Sequence, residues 1–97
     1  MGPDSTLTPG SLRGLVLAQE WVQTSLDGAQ VFVVSRPEHF VYSDKNGTFA
    51  LTQLPPGPDT IVVRRIGYVP RRIPILLPTS GGLWLVVPLQ RSSVEVR

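Results

Sequence analysis

The chain has 97 residues, a formal net charge of +2, 41% hydrophobic and 16% charged residues, and no cysteine. These figures describe one small domain, not a charged disordered tail, and they exclude disulfides, thiolate catalysis and cysteine-based zinc sites. The single histidine, His39, cannot support a histidine-rich metal cluster, no apolar run is long enough for a membrane span, and 10 prolines with 9 glycines leave little room for long helices.

Residues 1–10 are polar and rich in breakers, and read as a flexible lead-in. Beyond them, short apolar runs alternate with turn residues, which is the rhythm of an all-β domain. The runs predict seven strands, near 11–18, 29–35, 39–43, 47–53, 60–67, 69–77 and 83–90. The stretch 17–26 holds at most a turn of helix, with Trp21 and Val22 covering one end of a sandwich. Asp27-Gly28 forms a short turn. Asp44-Lys45-Asn46-Gly47 is a hairpin signal, because the Asp side chain can bond the following amides and Gly47 can take a positive φ. Pro55-Pro56-Gly57-Pro58 reads as a stiff corner between sheets, too proline-rich to be strand. Ser80-Gly81-Gly82 closes a last hairpin. Residues 91–97 are a tail or a linker to a following domain.

Alternation assigns faces. Leu12, Gly14 and Val16 point inward, as do Ala29, Val31 and Val33, then Phe49 and Leu51, then Ile61 and Val63. Ile73, Ile75 and Leu77, and finally Leu83, Leu85, Val87 and Leu89, complete the inner layer of a two-sheet sandwich. Pro70, Pro74 and Pro78 share one parity, so their missing donors lie on one side of the sixth strand. That strand is expected at a sheet edge, where proline also blocks edge-to-edge aggregation. The outward set is not polar: Leu15, Leu17, Phe32, Val34, Trp84 and Val86 oppose the inner residues. Part of an outer sheet face is therefore expected to dock on a neighbour, unless register shifts or the loop 18–26 cover it.

An ordered series of short motifs runs through the chain: Leu12-Arg13-Gly14-Leu15-Val16, Leu26-Asp27-Gly28-Ala29-Gln30-Val31, Ser43-Asp44-Lys45-Asn46-Gly47-Thr48-Phe49-Ala50-Leu51, Leu54-Pro55-Pro56-Gly57 and Ile66-Gly67-Tyr68. By order and spacing it resembles a carboxypeptidase regulatory-like domain over residues 11–90. The resemblance implies a seven-stranded antiparallel, Greek-key-type, prealbumin-like (transthyretin-like) β-sandwich with no active site of its own. Such domains accompany metallocarboxypeptidases, whose zinc belongs to the neighbouring domain, and precede the plug of TonB-dependent outer-membrane receptors. The run Val63-Arg64-Arg65-Ile66-Gly67-Tyr68-Val69-Pro70 and the closing Leu89 to Val96 look more like the bacterial envelope examples. The resemblance thus implies a periplasmic, outer-membrane-associated or extracellular parent protein. Two features depart from the family pattern: Asp59 stands where an aromatic residue is common, and the loop 18–26 is longer and more apolar than usual. Recurring residues of the family read as structural: Asp44, Gly47 and Gly57 in turns, Phe49 in the core, Gly67 at a bend and Tyr68 packed over it.

No catalytic constellation emerges. Asp27 and Asp44 have turn roles, Asp59 and Glu38 have no evident common target, no serine sits in a nucleophile elbow, and Gly81-Gly82 is too short for a phosphate cradle. The expectation is a non-enzymatic module without cofactor or metal. It would dock or orient a neighbouring domain of its parent or another envelope protein, with weak self-association through an edge strand or apolar face as a further expectation. The alternative is an anion- or carbohydrate-binding module. Arg64, Arg65, Arg71 and Arg72 flank the Gly67-Tyr68 bend, two of them with outward parity, and with Tyr68, Phe32, Trp84 and Val86 they form the candidate interaction surface. Against the anion reading, isolated surface arginines are often merely solvated. Nucleic acid is not expected, because these arginines lack interleaved aromatics and a recognition helix.

Overall fold

The computed structural model describes residues 10–20 and 24–92. The lead-in up to residue 9, Trp21 and Val22, and residues 93–97 of the expected tail lie outside the described residues. Seven strands follow in order: β1 (Leu12–Ala18), β2 (Gln30–Val33), β3 (Val41–Tyr42), β4 (Thr48–Leu51), β5 (Gly57–Arg64), β6 (Arg71–Leu77) and β7 (Leu83–Leu89). They form two sheets, β4-β1-β7 and β3-β2-β5-β6. The all-β sandwich expected from the strand-and-turn rhythm is the observed fold.

Its inner layer is the one alternation assigns. Leu12, Val16, Val31, Val33, Leu51, Ile61, Val63, Val87 and Leu89 are all buried, with Ile73, Ile75, Leu83 and Leu85 packed against them at the sandwich margins. A buried aliphatic side chain contributes about 1.5–3 kcal/mol relative to exposure. Burial of this layer is therefore a large favourable contribution to folding.

Three expectations are corrected. First, the sheets are not wholly antiparallel, because β7 runs parallel to β1 from Leu12↔Leu83 to Ala18↔Leu89. Second, Ser80-Gly81-Gly82 closes no hairpin; it carries the chain from β6 in one sheet to β7 in the other. The two share a cause. β6 is an edge strand, and its Pro74 stands opposite Thr60 of β5. A proline cannot donate to the ladder, so its nitrogen belongs on the open side. That side cannot accept β7 as a regular partner, and the chain crosses over and lies beside β1. Third, Gly57 and Pro58 belong to β5 and not only to the corner; β2 reaches along β5 no further than Ile61, so Pro58 needs no donor on that side. The corner narrows to Pro55-Pro56 and does join the two sheets. The third predicted strand shrinks to Val41–Tyr42, because residues 34–39 fold into successive turns in which Arg36 N–H donates to the Val33 carbonyl and His39 N–H to that of Arg36.

Gly14, in the middle of β1, has no room for a side chain. A Cβ there would lie 2.6 Å from Cζ of Phe49, its partner in β4, and would also collide with the Leu85 carbonyl of β7. Phe49 thus fills the volume a side chain at position 14 would take. Gly14→Ala is expected to lower stability by about 2 kcal/mol, the scale of an overpacked core. Urea denaturation measures it, and an unchanged midpoint would contradict this packing.

Candidate functional site

The candidate arginines cluster around the link between β5 and β6. Residues 65–68 form a turn closed by Tyr68 N–H donating to the Arg65 carbonyl at 3.0 Å, with Gly67 at φ 91°. Only glycine takes that conformation without strain. Beyond the turn the chain leaves its sheet. Val69 N–H donates to Gln90 and Ser92 N–H to Gly67, and Tyr68 bridges Arg91. The expected strands through 65–70 are therefore replaced by a stitch between the two sheets at one end. Arg91 and Ser92 take part in this stitch, within the body of the fold. Tyr68 is half-buried and packs against the core, its expected structural role.

The four arginines separate by strand parity. Arg65 is built into the fold: its Nε donates to the Asp27 carbonyl at 2.6 Å, its guanidinium pairs with the Asp27 carboxylate at 3.5 Å, and it lies over the Tyr68 ring. Arg71 reaches across the sandwich margin and donates to the Pro88 carbonyl at 2.8 Å. Arg64 and Arg72 share the outer face of the four-stranded sheet. Arg64 Nε donates to Gln30 Oε1 at 2.8 Å while its guanidinium covers the Phe32 ring. Arg72, opposite Val62, is exposed and has no partner among the described residues. Beside Arg64 a groove of about 400 Å³ runs between Gln30, Tyr42, Arg65, Ile66, Tyr68 and Pro70. Tyr42 escapes sequence reasoning because β3 has only two residues. The usable signal is its register: it faces Gln30, which in turn faces Arg64.

The remaining candidates lie on the other sheet. Trp84 and Val86 of β7 are 52% and 53% exposed and stand beside Arg13 and Leu15 of β1. Phe32 is therefore on the opposite side of the molecule from Trp84 and Val86, and the candidate set divides between two faces. Among the described residues of the loop 18–26, none covers Trp84, which stays half-exposed. Arg13 is half-buried among Ala50, Trp84 and their neighbours, and its Nε is buried without a hydrogen-bond partner among the described residues.

Acidic residues are confined elsewhere. Among the described residues, Asp59 is the one acidic residue inside a strand, and it has inward parity. Its carboxylate accepts from Ser35 N–H, Ser35 Oγ and Thr60 N–H, so it ties the turn after β2 to β5. This explains a carboxylate where the family pattern favours an aromatic residue. Asp44 acts as its turn position predicts: one oxygen accepts from Asn46 and Thr48 N–H, each at 2.9 Å, and the other from Thr48 Oγ1 at 2.7 Å. Gly47 has φ 81°, and a Cβ there would lie 2.7 Å from the Val16 carbonyl; Gly57 has φ 114°. Ser43, which sequence reading leaves unassigned, is buried; its Oγ donates to the Leu26 carbonyl and accepts from Ala29 N–H. His39 is exposed, and among the described residues no group of three or more His, Asp or Glu side chains could hold a metal ion.

The family profile described as carboxypeptidase regulatory-like domain matches residues 11–90. No curated protein matches the sequence. Among solved structures, chains of two interface mutants of a type II cohesin–X–dockerin complex from Acetivibrio cellulolyticus superpose with TM-scores of 0.61 and 0.64, at 20% identity, over 82% of this chain and 55% of theirs. A streptococcal ancillary pilin superposes with a TM-score of 0.58 at 22% identity, over 91% of this chain and 31% of the pilin. This chain thus spans about half of the first two and a third of the third, and the likeness is one of fold.

The hydrogen bonds from Thr48, side chain first and then backbone, hold the Asp44 carboxyl below its ordinary pKa of 3.8. A carboxylate with a depressed folded pKa stabilises the native state above the unfolded pKa, and that contribution is lost as pH falls through the folded value. Asp44→Asn is therefore expected to melt below the wild type at neutral pH, with the gap closing below about pH 4. Thermal melts from pH 7 to pH 2.5 test this, and a gap constant across the range would contradict it.

Proposed function

This chain belongs to the carboxypeptidase regulatory-like domain family, and on that premise we propose that it is a non-catalytic accessory module that docks and orients a neighbouring domain or partner protein through the outer face of β4-β1-β7. The carrying observation is the composition of that face. Ala50, Leu15, Leu17, Trp84, Val86 and Pro88 surround one cation, Arg13, with Thr48 and the Asp44 carboxylate that it bonds at the β4 margin. A solvated antiparallel sheet face alternates to polar residues, and half-exposed Trp and Val side chains on neighbouring strands are what a docking surface presents. Arg13 adds direction to this surface, as the one cation among these apolar side chains.

The mechanism is passive. The rigid sandwich fixes the direction of the face, and apolar burial gives the affinity. A partner carbonyl or carboxylate over Arg13 gives the register. The fold neighbours favour this reading by their printed descriptions, one set being complexes and the other a pilin. They also favour an extracellular or cell-surface setting, which together with the family agrees with an envelope protein as parent.

Two results are expected. In the isolated domain Trp84→Ser with Val86→Ser changes unfolding free energy by less than about 1 kcal/mol, because exposed side chains support the core little. In the protein that carries the domain, a photocrosslinking residue at position 86 joins a neighbouring domain or bound partner, and one at exposed Thr52 does not. Equal crosslinking at the two positions, or none at 86, would overturn the proposal.

A further inference from the structure

The opposite sheet carries a second and independent feature. Its outer face presents Tyr42, Gln30, Phe32, Arg64 and Arg72 on four adjacent strands, with Val62 buried beneath them. We infer that this face, with the groove between Tyr42 and Tyr68, is a binding site for an extended acidic peptide segment that carries an aromatic or aliphatic side chain beside its carboxylates.

Three observations build the site. Arg64 is held in place through Nε alone, by Gln30, with Phe32 under its plane, and its two Nη atoms have no partner among the described residues. A guanidinium immobilised in this way offers a bidentate fork to a carboxylate at reduced entropic cost. Arg72 is the diagonal neighbour of Arg64 across β5 and β6 and is also unpartnered, so two cations lie along one face with no acidic residue between them. Finally, the groove is walled mainly by carbon: Tyr42 is 59% and Ile66 95% exposed, and Tyr68 closes the far side.

The chemistry of these groups selects the ligand. Arg65 also lines the groove, but Asp27 already neutralises it. A small inorganic anion would therefore meet a single open fork and leave the aromatic walls unused. A peptide with alternating acidic and apolar side chains engages Arg64 and Arg72 and fills the groove between the tyrosines. Regular strand addition is not the mode at the β6 edge, since Pro74 removes a donor there. Recognition would instead run over the sheet face through side chains.

The test is fluorescence anisotropy with a labelled peptide alternating Asp or Glu with Phe or Ile, titrated with the intact chain. Expected results are saturable binding that weakens several-fold between about 50 and 300 mM NaCl, and a loss of about tenfold or more in Arg64→Glu. A loss of about threefold is expected in both Arg72→Glu and Tyr42→Ala. Lys45→Glu, the same charge change at a turn residue that does not line the groove, and Val86→Ser, on the other sheet, are expected to bind as the wild type does. This inference and the docking face therefore fail separately. Absence of binding at low salt, or an equal loss in Lys45→Glu, would overturn the inference. So would competition by inorganic phosphate or by an oligogalacturonate at the concentration at which unlabelled peptide competes, since that would mark a generic anion or acidic-glycan site.

Discussion

The close approach of β4 and β7 over Gly14 is the contact on which the rest of the sandwich depends. β1 is the central strand of its sheet, and at Gly14 it gives up its own side chain. The Phe49 ring occupies that place from one side, and the Leu85 carbonyl lies against it on the other. Because the space is filled by a residue from β4, the Asp44–Gly47 turn must deliver Phe49 at the right register. The turn does so through an Asp44 carboxylate that bonds Asn46 and Thr48. Val16 N–H then donates to the Gly47 carbonyl, which fastens the turn to β1 itself. Sequence, turn and core are one chain of cause here.

A second constraint shapes the periphery. Proline in β6 denies that strand an outer partner, so β7 leaves for the other sheet and pairs parallel with β1. The two edges this leaves near each other are joined by side chain and loop: Arg71 reaches Pro88, and the segment around Tyr68 pairs with Gln90, Arg91 and Ser92. This arrangement leaves two broad outer faces. Both carry arginine, but they differ in kind. One is an apolar field around a single Arg13, and the other holds a pair of arginines, one braced by Phe32 and Gln30.

Much of this was legible in the amino-acid order. Period-two alternation placed Val16, Val31, Ile61 and Val87 inside, and same-parity prolines put β6 at an edge. Asp44-Lys45-Asn46-Gly47 announced its turn, because these signals are local. Long-range geometry was not legible. The parallel pairing of β7, the crossing at Ser80–Gly82 and the stitch from Tyr68 to Arg91 depend on which edges remain free after the sheets form. The candidate surface was legible residue by residue but not in its grouping. Trp84 and Phe32 look alike in sequence yet face opposite ways, and Arg65 differs from Arg64 only because Asp27 comes to meet it. Tyr42 carries no sequence signal, because a strand of two residues gives no periodicity to read. Asp59 looked out of place until its contact with Ser35 supplied a reason.

On the proposed reading, the face around Trp84 is open in the isolated domain and covered in the assembled parent protein. Hydroxyl-radical footprinting read by peptide mass spectrometry measures this at single residues. With Trp84 half-exposed, strong oxidation of Trp84 is expected in the isolated domain. At least about threefold protection of Trp84 is expected in the assembled parent, as burial in an interface requires, with the exposed loop residue His39 unchanged. Equal oxidation of Trp84 in both states would contradict it.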